Sequence, residues 1–162
     1  MEPARARPQA RFAIGGAQYP QDFPWSDNIY FVRHLPPAEH PAFFSSSRVT
    51  LNITRQDMAA MGWCPSGRLF EAALCGTPVM TDVWDGLDSF FEPDLEIITA
   101  ATVEDSIAAL DRSEAELEQI AERARERVLA EHTSAHRARE LVSLLSGSTA
   151  ARPTQSAAEA RA

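Results

Sequence analysis

Five short runs of β-forming residues, set apart by stretches of helical character, constrain this chain more than any other feature. Phe12-Ala-Ile-Gly-Gly16 is expected to be a strand ending in a turn, and Ile29-Tyr-Phe-Val32 a second strand between polar breakers. Pro36-Pro37 then opens a helix that carries Phe43 and Phe44 and stops at Ser45-Ser46-Ser47. In Arg48–Thr54, Val49, Leu51 and Ile53 alternate with Thr50, Asn52 and Thr54, the period of a strand. Residues 55–65 are expected to be a loop. Ser66 can cap a helix over Gly67–Cys75 that Gly76 stops. Pro78–Thr81 and Leu95–Thr99 complete the strands.

Three helices are expected to follow. Thr102 with Asp105, and Ser113 with Glu116, have the spacing of capping boxes. The second of these helices places Leu117, Ile120, Ala121, Ala124 and Val128 on one stripe. Thr133 starts the last, with Leu141, Leu144 and Leu145 directed inward. Strands separated by helices predict an α/β fold: a single Rossmann-like, doubly wound, mostly parallel sheet with a helical C-terminus. Ligands bind such sheets at the carboxyl ends of the strands. That rule directs attention to Gly15-Gly16, Arg33-His34, Thr54-Arg55 and Asp82.

The 162 residues suit one domain with a real core. Residues 1–10 mix Pro, Ala and Arg, and residues 147–162 are small and polar. Both are expected to be disordered tails around a domain at 11–146. With 15 Lys+Arg against 23 Asp+Glu, the net charge of −8 argues against a nucleic-acid partner. No apolar run is long enough to span a bilayer, and no secretory signal is evident. Cys64 and Cys75 lack metal-ligand spacing; a reduced pair in a cytoplasmic protein is expected. Every Lys+Arg charge is an arginine, so no lysine is available as Schiff base, Walker-type ligand or general base.

The strongest local signal is Cys64-Pro-Ser-Gly-Arg-Leu-Phe-Glu-Ala-Ala-Leu-Cys-Gly-Thr-Pro78. A loop ending in Ser66-Gly67 runs into a helix whose first turn exposes backbone N–H groups and the positive end of the dipole. Gly67 lets an anion approach the backbone closely. Arg68 and the Ser66 hydroxyl can add hydrogen bonds, and Glu71 can accept from a sugar diol. An ordinary capped helix with solvated charges has the same spacing, and spacing alone does not choose between the two.

Other constellations carry less. His132 and His136 are four apart but straddle a helix break, and no acidic third ligand stands near, so no metal site is expected. Asp82–Glu96 holds six carboxylates among aromatic residues and is expected to be a solvated loop over Trp84, Phe90 and Phe91. Gly15-Gly16 lacks the G-x-G-x-x-G pattern of a dinucleotide site.

The runs SGRLFEAALCGTPVMTD, WDGLDSFFEPDLEI, RARERVLAEHTSAHRARELVSLL and HLPPAEHPAFFSSSRVTLNITR together resemble the C-terminal half of a family 1-type glycosyltransferase, most closely the CgeB-like spore-protein group. The resemblance covers about residues 11–146. It implies the nucleotide-sugar donor domain of a two-domain GT-B fold. By resemblance, Glu71 holds the donor ribose, and Ser66, Gly67 and Arg68 lie beside the diphosphate. Gly16, in the turn after the first strand, is also assigned to the donor site, and His34 and Leu35 follow the second strand, where such folds contact the base. Asn52, Thr54 and Arg55 face the same cleft. Many retaining members have a second glutamate eight positions before the ribose-binding one; here that position is Trp63. The implied reaction is glycosyl transfer from a nucleoside diphosphate sugar, with no resident cofactor or metal. It requires an acceptor domain that precedes this one, supplied separately, or self-association. The alternative is a non-catalytic nucleotide-sugar-binding or interaction module. A flavodoxin-like regulatory domain would need a lysine, and the chain has none.

Overall fold

A computed structural model describes residues 1–17 and 19–149. Five parallel strands appear where β-forming runs stand in the sequence. They form two ladders rather than one continuous sheet. β1 (Phe12–Gly15) pairs with β2 (Ile29–Val32), Phe12 opposite Ile29 and Gly15 opposite Val32. β3 (Thr50–Asn52), β4 (Val79–Thr81) and β5 (Ile98–Thr99) form the second ladder in that order. Pairing in the second ladder is shorter than the apolar runs because β4 offers only three residues to β3, Val79 to Thr81.

The alternation in β3 is present, and the polar set is the buried one. Thr50 and Asn52 are 6% and 2% exposed, whereas Leu51 and Ile53 are 49% and 73% exposed. Asn52 tolerates burial because its Nδ2 donates to Thr81 Oγ1 on the neighbouring strand at 3.1 Å.

α4 (Gly67–Leu74) covers one face of this ladder, and α6 (Glu114–Glu131) packs against it. Leu69, Ala72 and Ala73 meet Ala124 and Val128 there, around Val79, Trp84, Phe91 and Ile97. Small residues on both helices let the backbones approach, and each fully buried Leu or Val side chain contributes roughly 1.5–3 kcal/mol. Met80 and Ile98 point to the other face, where Ala109 of α5 (Val103–Leu110) and Leu117 and Ile120 of α6 close a second core. α6 therefore serves both cores with one stripe, and all five residues of that stripe are buried. Both expected capping boxes form, at Thr102–Asp105 and Ser113–Glu116. Their hydrogen bonds hold the Asp105 and Glu116 carboxyls below the usual range, the Thr102 and Ser113 side chains being the largest cause.

Several expectations are corrected. Residues 55–65 contain a helix, α3 (Gln56–Met61), which ends at Gly62 with φ 66°. Gly62 is a C-terminal stop of the left-handed kind. Residues 2–6 of the expected N-terminal tail form α1 (Glu2–Ala6), with Ala4 buried. Distant contacts supply what local composition lacks. Asn28 Nδ2 donates to the carbonyls of Ala4, Arg7 and Ala10 at 2.9, 3.0 and 3.0 Å, and Arg7 pairs with Asp111. The last helix, α7 (Ser134–Thr149), continues past residue 146. Its Leu141, Leu144 and Leu145 are 58%, 67% and 62% exposed rather than inward, since Ala124 and Val128 of α6 already close the core beneath α4. The remainder of the expected C-terminal tail, 150–162, lies outside the described residues.

Between β2 and β3, a 3-10 turn (Pro37–Glu39) leads into α2 (His40–Ser45). Phe44 of α2 is buried in the core beneath α4, and Thr77 Oγ1 donates to its carbonyl at 2.6 Å. Trp84 and Phe91 are buried and Phe90 half-buried under the acidic segment, as the sequence led us to expect.

Candidate functional site

Ser66 leaves the loop in extended conformation, φ −71° and ψ 138°, and its Oγ accepts from the Arg68 amide at 3.4 Å. This satisfies one of the amides that a helix start leaves without an intrahelical partner. The positive end of the α4 dipole favours an anion here by about 0.3–1 kcal/mol at an exposed position. A Cβ placed on Gly67 would lie 3.8 Å from Glu71 Oε1. The Glu71 carboxylate thus reaches back toward the helix start.

Arg68 extends from this turn to the ends of the strands. One guanidinium nitrogen lies 3.4 Å from Asn52 Oδ1. Asn52 Nδ2 contacts Thr81 Oγ1 at 3.1 Å and Thr54 Oγ1 at 3.5 Å, and the Thr54 amide donates to Asp82 Oδ1 at 2.8 Å. A polar chain therefore joins the carboxyl ends of β3 and β4 to the first turn of α4. The guanidinium can only donate, which leaves Oδ1 of Asn52 as the acceptor and orients its amide.

Glu71 has a second neighbour. His40 Nδ1 lies 3.5 Å from Glu71 Oε2, and His40 Nε2 lies 3.2 Å from the Leu35 carbonyl oxygen. A carbonyl accepts only, so Nε2 carries the proton of the neutral ring and Nδ1 is protonated only in the cation.

Asn52, Thr54, Ser66, Gly67, Arg68 and Glu71 are thus gathered at one place. The other expected residues stand outside this hydrogen-bonded set. Gly16 follows β1 and donates to the Val32 carbonyl at 2.9 Å, and His34 is exposed after β2. Arg55 is exposed and serves as the N-cap of α3 through its backbone. Thr81 and His40 belong to the set and were not anticipated. Thr81 follows from strand register, which the sequence alone does not reveal. His40 reaches Glu71 from the other side of β3 in the chain. Asp82 was marked by the strand-end rule.

Behind the site, His132 packs its ring among Phe70, Phe90 and Phe91, and its Nε2 lies 3.1 Å from the Phe90 carbonyl oxygen. Burial, then the Arg137 guanidinium, push its pKa below the ordinary value. His136 Nδ1 is 2.7 Å from Thr133 Oγ1, so both histidines near the expected helix break serve that junction. Among the described residues no three His, Cys, Asp or Glu side chains gather as a metal-binding group. No helix among them is long and apolar enough to cross a membrane. A shallow groove between Gly76 and the Glu118–Leu129 face of α6 lies at the opposite end of α4 from Ser66.

The fold is that of a GT-B half-domain. Sucrose-phosphate synthase (tll1590) from Thermosynechococcus elongatus superimposes with a TM-score of 0.66 at 20% identity, over 82% of this chain and 33% of that one. Anabaena Alr3699/HepE, solved in complex with UDP-glucose, superimposes with a TM-score of 0.63 at 13% identity, over 90% of this chain and 52% of that one. The chain thus spans about a third and about half of the lengths of these two proteins. No curated protein matches it. A sequence profile described as glycosyl transferase-like matches residues 1–143, and the chain belongs to that family.

Proposed function

We propose that this chain is the donor-binding half of a CgeB-like glycosyltransferase and holds a nucleoside diphosphate sugar at the start of α4. The observation that carries the proposal is the hydrogen-bonded chain from Arg68 through Asn52 to Thr81, which orients a cation at the first turn of a helix in a glycosyl transferase-like domain. In this scheme the diphosphate sits against Ser66, Gly67 and Arg68. Glu71, one turn further on, accepts from the ribose hydroxyls. As the glycosyl bond breaks, negative charge grows on the leaving diphosphate, and the Arg68 guanidinium and the helix start are aimed at it. No resident cofactor enters the scheme. The acceptor and its positioning come from a second domain, on another segment or chain, so this chain alone turns over poorly. Its two free cysteines suit a reducing, cytoplasmic setting.

A second use of the fold is favoured by the α7 stripe. Leu141, Val142 and Leu144, 58–67% exposed, suit an interaction module that binds a nucleotide sugar without transferring it. Thermal melting with millimolar UDP, ADP, GDP or dTDP tests the shared binding step. Ligand at a hundred times its Kd adds about 2.7 kcal/mol, which raises Tm by roughly 5–11 °C for a domain of this size. No shift with any of the four overturns the proposal. With a binding donor in hand, multiple-turnover transfer by the monomeric chain would overturn the need for a second domain.

A further inference from the structure

Trp63 stands three residues before the cap of α4 in a conformation that bulky residues avoid, with φ 53°. The surrounding backbone holds it there. Its amide donates to the Asp85 carbonyl at 2.7 Å. Its indole lies on Gly86: a Cβ at that glycine would come within 2.5–3.0 Å of Cδ2, Cε3 and Cε2 of the ring. Gly86 is buried with φ 93°, and the preceding Gly62 is buried against Asp85, where a Cβ would come 2.9 Å from Asp85 Cβ. The two loops are therefore locked back to back through two glycines, and the lock fixes one face of the indole. Trp63 nevertheless remains 65% exposed, against 6% for Trp84 in the core. A side chain held in an unfavoured backbone conformation by its neighbours, yet left open to solvent, is positioned for something other than packing.

We infer that the open face of Trp63 stacks on the apolar face of the glycosyl ring of the donor and sets which sugars are accepted. This inference rests on the site proposed at Ser66–Glu71. In a nucleotide sugar the diphosphate lies between ribose and glycosyl group. With the diphosphate at the first turn of α4 and the ribose one turn further at Glu71, the glycosyl group extends the opposite way, toward the loop that carries Trp63. A rigid, amphipathic indole gives broad contact there at little cost in side-chain ordering.

The test compares each nucleoside diphosphate with its glucose ester by calorimetry, using UDP, ADP, GDP and dTDP and the matching diphosphoglucoses. Wild type is compared with Trp63→Phe and Trp63→Gly; glycine accepts the positive φ, and unliganded melting checks the fold of each variant. The expected result is a loss of tenfold or more in affinity for the diphosphoglucose in Trp63→Gly, a smaller loss in Trp63→Phe, and affinity for the bare diphosphate within twofold of wild type. Equal loss for both ligand types, or no loss for either, overturns the stacking role and leaves the diphosphate site standing. Failure of the wild type to bind any of the eight ligands overturns the diphosphate site and the stacking role with it.

Discussion

Replacing Arg68 by alanine separates stability from binding. In the folded chain the guanidinium is exposed and makes one long contact, 3.4 Å to Asn52 Oδ1. Asn52 itself is buried, but its Nδ2 keeps Thr81 and Thr54 as partners in the variant. Water can enter the space that the guanidinium leaves and reach Oδ1. The loss of stability is then about 1 kcal/mol, or roughly 2–4 °C in Tm. In the proposed complex the same side chain would make a charge-assisted hydrogen bond to the diphosphate, worth about 1.5–3 kcal/mol. At 1.4 kcal/mol per decade this is a loss of roughly tenfold to 150-fold in affinity. Calorimetry with a nucleoside diphosphate and with the corresponding nucleoside reads the difference, and melting reads the fold. The diphosphate should lose affinity and the nucleoside should not. Arg68→Lys should fall between, because it keeps the charge and loses the planar fork. Equal losses for both ligands, or a melting point lowered by far more than a few degrees, would refute the assignment of Arg68 to the diphosphate.

Glu71→Ala should weaken ribose-containing ligands and leave pyrophosphate nearly unchanged in the same titrations; equal loss for pyrophosphate would place Glu71 elsewhere. Leu69→Ala removes a fully buried side chain between α4 and α6 and should cost about 2–5 kcal/mol in denaturant melts, with m unchanged. His132 has a lowered pKa in the fold, so the unfolded chain binds its proton first. Stability should be full above the ordinary value of 6.5 and decline as pH falls below it. His132→Gln should flatten the part of the decline that begins just below pH 6.5 in urea titrations. The loss tied to Asp105 and Glu116 should remain, because their lowered pKa values remove stability only below the ordinary 3.8 and 4.5.

Features with a local cause were legible in the sequence. The capping boxes and the α6 stripe need only positions a few residues apart, and both formed as expected. So did the Ser66 cap of α4. Where a distant partner decides, the pattern was silent or misleading. Asn28 organises α1 from more than 20 residues away, which no property of residues 1–10 discloses. The stripe on α7 says which face is apolar and nothing about whether another element covers it. α3 is too short to show a period, although Gly62 was a usable stop signal. At the candidate site, spacing indicated Ser66, Gly67, Arg68 and Glu71. The strand-end rule marked Thr54, resemblance added Asn52, and strand register and tertiary packing brought Thr81 and His40 to them.

A nucleoside diphosphate held at the first turn of α4 should perturb the backbone amides around it. Backbone amide chemical shifts of the 15N-labelled chain, followed through a titration with whichever of the four diphosphates raises Tm most, locate the ligand directly. The largest changes are expected at Gly67, Arg68 and Leu69, with smaller ones at Asn52 and Thr81 through the Arg68 contact. Saturable binding that leaves these amides unmoved, with changes confined to the β1–β2 ladder or to the groove between Gly76 and α6, would place the nucleotide elsewhere and refute binding at the α4 start.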